Sequence, residues 1–351
     1  MQDFLKKNAQ PARKDLDPFY TWSAALVTLC RRKAVIVVND AAHCGFVLLG
    51  IKATNLKQMD ALILDGIRQM LLCEKIAPTL VEKYLQECGE VQYTKTKNAS
   101  AVARLNQYCR RVGYFEDDMV IGEMFQQAIL QRINHDCYQE DGTYKDTREE
   151  LRRQFAEHYA VEQPCECTMA VVNVKIVDVP CFRQVRIPAD TTLWQLHAVI
   201  QNALCWHDSH LHEFRTTDDL PLDIAYPEYA YLAEPGDFEQ DTGPIEKMLT
   251  VQEAFRENPK LQYIYDFGDD WEHELELARF EEHSTDITPT CIMGSGDAPP
   301  EDVGGSCGFE EFLQVMRNPS APEYTQLQQW ATMQRWETFD REKVNARLRH
   351  M

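Results

Sequence analysis

Tyr263-Ile264-Tyr265-Asp266-Phe267-Gly268-Asp269-Asp270-Trp271-Glu272-His273-Glu274-Leu275-Glu276 reads as two strands folded about a turn. Gly268-Asp269-Asp270 supplies the residue types that tolerate a tight reversal of the backbone. Alternate side chains of a strand share a face, so Trp271, His273, Leu275 and Leu277 fall on one side and Glu272, Glu274 and Glu276 on the other. The glutamate face must be solvated, which sends His273 inward beside apolar residues. Asp266, four residues from Asp270 across the turn, is expected close enough to His273 to orient it.

Outward from this hairpin the pattern stays mixed. Val171–Val177 and Phe182–Ile187 are strand-like around the Pro180 turn, and Pro188-Ala189-Asp190 leads into a helix from about Thr192 to Leu204. Thr192 and Gln195 have capping-box spacing, and Leu193, Leu196, Ile200 and Leu204 form its apolar stripe. His210–Thr216 reads as another strand, with His210, His212 and Phe214 on one face. A polar, aromatic loop spans Asp218–Thr242, a short helix Val251–Glu257, and two closing helices Phe309–Met316 and Glu323–Thr332.

Towards the N-terminus, Ala25–Leu29, Ala34–Val38 and Phe46–Ile51 read as strands, and Leu56, Met59, Leu62, Ile63, Ile67, Met70 and Leu71 as one helix face. A second helix is expected over Pro78–Gln86, a short strand over Val91–Thr96, a helix over Ala101–Arg111, and charged helices over 116–160, broken at Glu140–Thr143. The expected fold is α+β in two domains, each a small mixed or antiparallel sheet packed with helices. The domains are expected at residues 1–160, with a helical extension from about 116, and 170–351, joined by a linker at 161–169.

Charge separates the halves. Residues 1–167 hold 22 Lys+Arg against 23 Asp+Glu; the totals of 36 and 56 leave 14 against 33 for the remainder, a net of −19 out of −20. A half so acidic repels a phosphate backbone and favours cations or a basic protein partner. No apolar run approaches the roughly 18 residues of a membrane helix. Met1–Lys14 carries no apolar signal region, and the 12 cysteines are not spaced as a disulfide framework, so no membrane role and a cytoplasmic location are expected. Cys165-Glu166-Cys167, with Cys181, lacks the paired spacing of a zinc knuckle.

Four pieces in order resemble the Ri-plasmid ORF-three-like family: Phe182-Arg183 through Trp194-Gln195-Leu196-His197; Trp206-His207-Asp208-Ser209-His210-Leu211-His212-Glu213-Phe214; Tyr265 through His273; and Pro299-Pro300-Glu301-Asp302-Val303-Gly304-Gly305. The resemblance covers about 170–340 and implies an accessory protein, associated with plasmids and insertion sequences, without defining an activity. Many relatives carry a cysteine just before the two prolines; Ala298 stands there in this chain, and Cys291 lies upstream. Tyr93 to Ser100 and on to Asn106 resembles a second, small bacterial domain of unknown function.

The chemistry-bearing residues admit two readings. His210, His212, His273 and Asp270 have ligand types that suit zinc, manganese or iron, and Asp266 or Asp269 could then serve as ligand or base in metal-assisted hydrolysis. His207, Asp208, Trp271, Glu301 and Asp302 complete the polar cluster. Alternatively the same residues only build turns, caps and buried hydrogen-bond networks in a non-catalytic interaction module. A third function, nucleic-acid or partner contact, is open to the N-terminal half through Lys95, Lys97 and Arg104. No phosphate loop and no nucleophile elbow is present in the sequence.

Overall fold

The computed structural model describes residues 16–95, 99–140, 142–229, 234–235, 240–241 and 243–349. They fall into two compact units, Met1–Glu166 and Cys167–Met351. Both combine antiparallel sheets with helices, the expected α+β class.

In the first unit, β1 (Trp22–Leu29), β2 (Arg32–Asn39) and β3 (Gly45–Leu49) form an antiparallel meander. The apolar run in β2 is buried because helices cover it: α1 (Met59–Cys73), α2 (Pro78–Cys88), α3 (Ala99–Gly113), α4 (Gln127–Asn134) and, after a small hairpin, α5 (Thr147–Tyr159) complete the unit. Ile36, Val38, Val47, Tyr108, Val112, Ile129 and Ile133 share one core. Two expectations need correction. Val91–Lys95 is not a strand, and 116–160 is interrupted by a hairpin, β4 (Cys137–Glu140) with β5 (Thr143–Asp146). Pro164 to Glu166 runs beside Lys75–Ala77, with Ala77 N donating to Pro164 O and Glu166 N to Lys75 O.

The second unit holds a six-stranded antiparallel sheet. Its strands are β6 (Cys167–Ile176), β7 (Phe182–Pro188), β8 (His212–Thr216), β11 (Lys260–Tyr265), β12 (Trp271–Ser284) and β13 (Thr290–Ser295), in the order β13-β7-β6-β12-β11-β8. Between β8 and β11, Glu234–Pro235 (β9) and Gln240–Asp241 (β10) pair as a separate short ladder. The helices are α6 (Leu193–Leu204), α7 (Leu222–Ala225), α8 (Gly243–Glu246), α9 (Val251–Glu257), α10 (Gly305–Met316), α11 (Tyr324–Met333) and α12 (Arg341–Arg349). The expected capping box of α6 is present, as Gln195 N donates to Thr192 Oγ1 and Thr192 N to Gln195 Oε1. β13 and α12 carry too little apolar periodicity to have been read from the sequence.

β12 starts buried-exposed in strict alternation: Trp271, His273 and Leu275 are buried, Glu272, Glu274 and Glu276 exposed. Tyr263 and Tyr265 of β11 lie opposite His273 and Trp271, and on their other side opposite Phe214 and His212. This covered face places aromatic and polar side chains at the end of the sheet where β8, β11 and β12 meet their turns. Among the described residues, no helix is long and apolar enough to cross a membrane.

Candidate functional site

Three chain segments converge beside the β11–β12 turn. The first links α6 to β8 and carries His210; the second is the turn itself, with Asp266; the third, Pro299–Gly304, carries Asp302. His210 Nε2 lies 3.6 Å from Asp266 Oδ2 and 3.2 Å from Asp302 Oδ1. Ligand atoms of these three residues lie within 4.8 Å of one another, and they are the one such triad among the described residues. His210 is half-buried, Asp266 buried and Asp302 exposed, so the cluster opens to solvent on one side. The Nε2 atom is shielded from solvent yet makes no hydrogen bond, despite its two close carboxylates.

Local backbone chemistry explains how Asp266 divides its oxygens. It adopts a left-handed φ of 56°, a conformation aspartate tolerates better than most residues. Its Oδ1 accepts from Gly268 N at 3.0 Å and Asp269 N at 3.4 Å, its carbonyl accepts from Asp270 N, and Oδ2 is left facing His210. One carboxylate therefore closes the turn and addresses the imidazole at once.

Tyr265 ties the other two segments together. Its hydroxyl accepts from Ser209 N at 3.0 Å and donates to Glu301 Oε1. Burial, and then the Glu301 carboxylate, raise the phenol above its ordinary pKa, which keeps the donor proton in place. Trp206 Nε1 donates to Pro299 O at 2.8 Å while its ring stacks on Tyr265. Asp269 Oδ2 accepts from Gly304 N at 3.0 Å. Gly305 has φ 68°, and a Cβ there would come within 2.9 Å of Asp269 O, so the loop closes on the turn only with glycine.

The structure does not bring the three expected imidazoles together. β8 begins at His212, so His210 lies before the strand rather than on it. His212 Nε2 instead faces Glu246 Oε2 at 3.0 Å, and its ring stacks on His197 at 3.6 Å. His273 is fully enclosed and donates through Nδ1 to Trp271 O at 2.9 Å and Tyr263 O at 3.1 Å. Burial lowers its pKa to about 4, so it is a neutral core imidazole at neutral pH. Asp270 is exposed and Asp269 is committed to Gly304, neither belonging to the triad. His207 donates to Gln334 O at 3.2 Å and lies 4.0 Å from Glu301; Trp271 is buried with its Nε1 unbonded.

Residues that sequence reasoning missed lie just behind the triad. His197 and Gln201, one turn apart on α6, both reach Tyr263 Oη, at 2.7 and 3.1 Å, and His197 Nε2 meets Asp208 Oδ1 at 2.8 Å. Burial and the adjacent His212 lower the His197 pKa, whereas burial raises that of Glu246. The available signal was a histidine on the Leu193–Leu196–Ile200 stripe. In the first unit, Arg104 is bonded to Ser100 Oγ and Asp40 O, Lys95 is exposed, and Lys97 lies outside the described residues, as do 230–233, 236–239 and 242 of the Asp218–Thr242 loop.

Together these features define a two-domain α+β protein with a His–Asp–Asp cluster at one end of its second sheet. Residues 168–347 match the plasmid pRiA4b ORF-3-like protein family, and the chain belongs to it. Residues 1–150 match a domain of unknown function, DUF6933. The uncharacterized protein y4hQ of Sinorhizobium fredii is 33% identical over 165 residues, covering 46% of this chain and 80% of that protein. The crystal structure of the protein of unknown function MM3350 from Methanosarcina mazei Go1 aligns with 27% identity and a TM-score of 0.41, covering 51% of this chain and 98% of that one.

Proposed function

We propose that the second domain binds a divalent cation between His210, Asp266 and Asp302 and uses it for metal-assisted hydrolysis. The observation that carries this reading is His210 Nε2, shielded, without a hydrogen bond, and 3.2 and 3.6 Å from carboxylates on two other segments. Ligands about 2.0–2.2 Å from a zinc-sized ion stand roughly 3–3.6 Å apart, so two edges of the triad already have the right length. One imidazole with two carboxylates suits manganese, zinc or ferrous iron, and three protein ligands leave coordination positions for water and substrate. A cation held there would supply Lewis-acid polarisation and a bound water of lowered pKa. The net charge of −19 on this half favours a cation and disfavours polyanionic substrates.

Metal content of tag-free protein by mass spectrometry tests the reading. Near-stoichiometric metal in the wild type, lost in folded His210→Ala and retained in folded His273→Gln, is the expected result. Absence of metal from the wild type, even after reconstitution with manganese or zinc, refutes it.

A second reading, recruitment of a basic protein partner, is supported by the exposed Glu272, Glu274 and Glu276 row. Among the described residues, Lys175 and Lys260 offset it at Glu274 and Glu276, at 3.6 Å each. Binding to a lysine-rich peptide that weakens with salt would favour it.

A further inference from the structure

Asp208 stands two residues before His210, but its carboxylate points back to the core. Four hydrogen bonds close a circuit around it. Asp208 N donates to Gln201 Oε1 at 3.0 Å, and Gln201 Nε2 donates to Tyr263 Oη at 3.1 Å. Tyr263 Oη contacts His197 Nδ1 at 2.7 Å, and His197 Nε2 contacts Asp208 Oδ1 at 2.8 Å. An ionised carboxylate only accepts, so His197 carries its proton on Nε2. Its Nδ1 then accepts the Tyr263 hydroxyl proton, which leaves the phenol oxygen free to take the Gln201 amide. Each member gives one hydrogen and takes one, with no polar atom in the ring left over.

The circuit is buried on one side and exposed on the other. His197, Gln201 and Tyr263 are at most 3% exposed, whereas the Asp208 side chain is 61% exposed. Three core side chains from α6 and β11 therefore grip one surface residue at both its amide and its carboxylate. Asp208 has a left-handed φ of 56°, and the next amide, Ser209 N, is taken by Tyr265. Two consecutive residues ahead of His210 are thus fixed to α6 and to β11, the strand that leads into Asp266.

We propose that Asp208 is a positioning residue: through the His197–Tyr263–Gln201 circuit it presets the His210 segment, so that the imidazole meets Asp266 and Asp302 before any cation arrives. This rests on the cation-binding reading for its purpose, though not for its geometry. Partners of metal ligands that fix their orientation typically contribute 10–100-fold to affinity.

The test compares Asp208→Asn with Asp208→Gly. Both remove the same charge and both suit a left-handed residue, but only asparagine keeps an oxygen for His197 Nε2–H. Calorimetric titration with Mn²⁺ and Zn²⁺ is paired with hydrogen exchange of the Ser209 amide in metal-free protein, and thermal melts show that each variant is folded. The expected result is D208N within about threefold of wild-type affinity, and D208G weaker by about tenfold or more. The Ser209 amide should also exchange roughly tenfold faster in D208G alone. Equal affinity and equal exchange in the two variants overturn the proposal. If the wild type binds neither cation, the cation reading falls, and the Ser209 exchange alone decides the positioning role: faster in D208G supports it, equal in both refutes it.

Discussion

The Tyr265 hydroxyl donates to the buried Glu301 carboxylate while accepting from Ser209 N, so one phenol joins the His210 segment to the Asp302 loop. Its own backbone leads directly into Asp266. Removing the hydroxyl in Tyr265→Phe leaves a buried carboxylate short of a donor, a loss of about 1–3 kcal/mol. Urea unfolding should show that loss, and cation affinity should fall with it. Glu301→Gln, which keeps an acceptor for the phenol, should be milder on both counts.

His273 makes the second domain sensitive to mild acid. Its folded pKa is about 4, set by burial against the weaker opposing pull of the Tyr263 and Trp271 carbonyls, while an unfolded histidine titrates near 6.5. Between those values the unfolded chain binds the extra proton. The stabilisation is therefore complete above about pH 6.5 and is lost as pH falls towards 4, a change of about 3 kcal/mol. His197 is lowered too and adds in the same sense; Glu246 is raised and opposes it. Denaturation across this window should show a shallower slope in His273→Gln than in the wild type.

Arg183 is predicted to be structural. It is 2% exposed, and its guanidinium donates to the carbonyls of Ala203, Phe182, Ser295 and Gly296 and lies over the Phe339 ring at 4.0 Å. A lysine has the charge without the planar fork. Arg183→Lys should cost about 3 kcal/mol by chemical denaturation, each lost bond to a charged donor being worth about 1.5–3 kcal/mol. Cation affinity per folded molecule should stay as in the wild type.

Legibility of the fold tracked periodicity. The hairpin around Gly268-Asp269-Asp270, the capped α6 and the N-terminal meander announce themselves through alternation, capping spacing and an unbroken apolar strand. The β4–β5 hairpin did not, because Asp141-Gly142 is as good a helix break as a turn and its strands are four residues long. The polar α12 depends on only two buried apolar residues, Val344 and Leu348, against β13 and α6.

The site was legible as composition and not as geometry. His210, Asp266 and Asp302 were all singled out, but strand alternation put His210 on one face with His212, and ligand type then grouped both with His273. The backbone leaves the strand before His212, so the alternation rule does not extend to His210. Asp302 meets His210 only because Tyr265 and Asp269 hold its loop, a tertiary relation across more than thirty residues that no local pattern encodes. His197 was hidden on an apolar stripe where a core histidine and a network histidine look alike.

The most direct measurement is a calorimetric titration of Mn²⁺ and Zn²⁺ into wild type and Asp266→Asn. Asparagine keeps the left-handed backbone and the Oδ1 acceptor for Gly268 N and Asp269 N, while its amide replaces the oxygen that faces His210. One cation per chain is expected in the wild type, and in the equally stable variant a fall in affinity of at least about tenfold, or no detectable binding. Equal binding by the two proteins, or none by the wild type, would contradict a cation site at His210, Asp266 and Asp302.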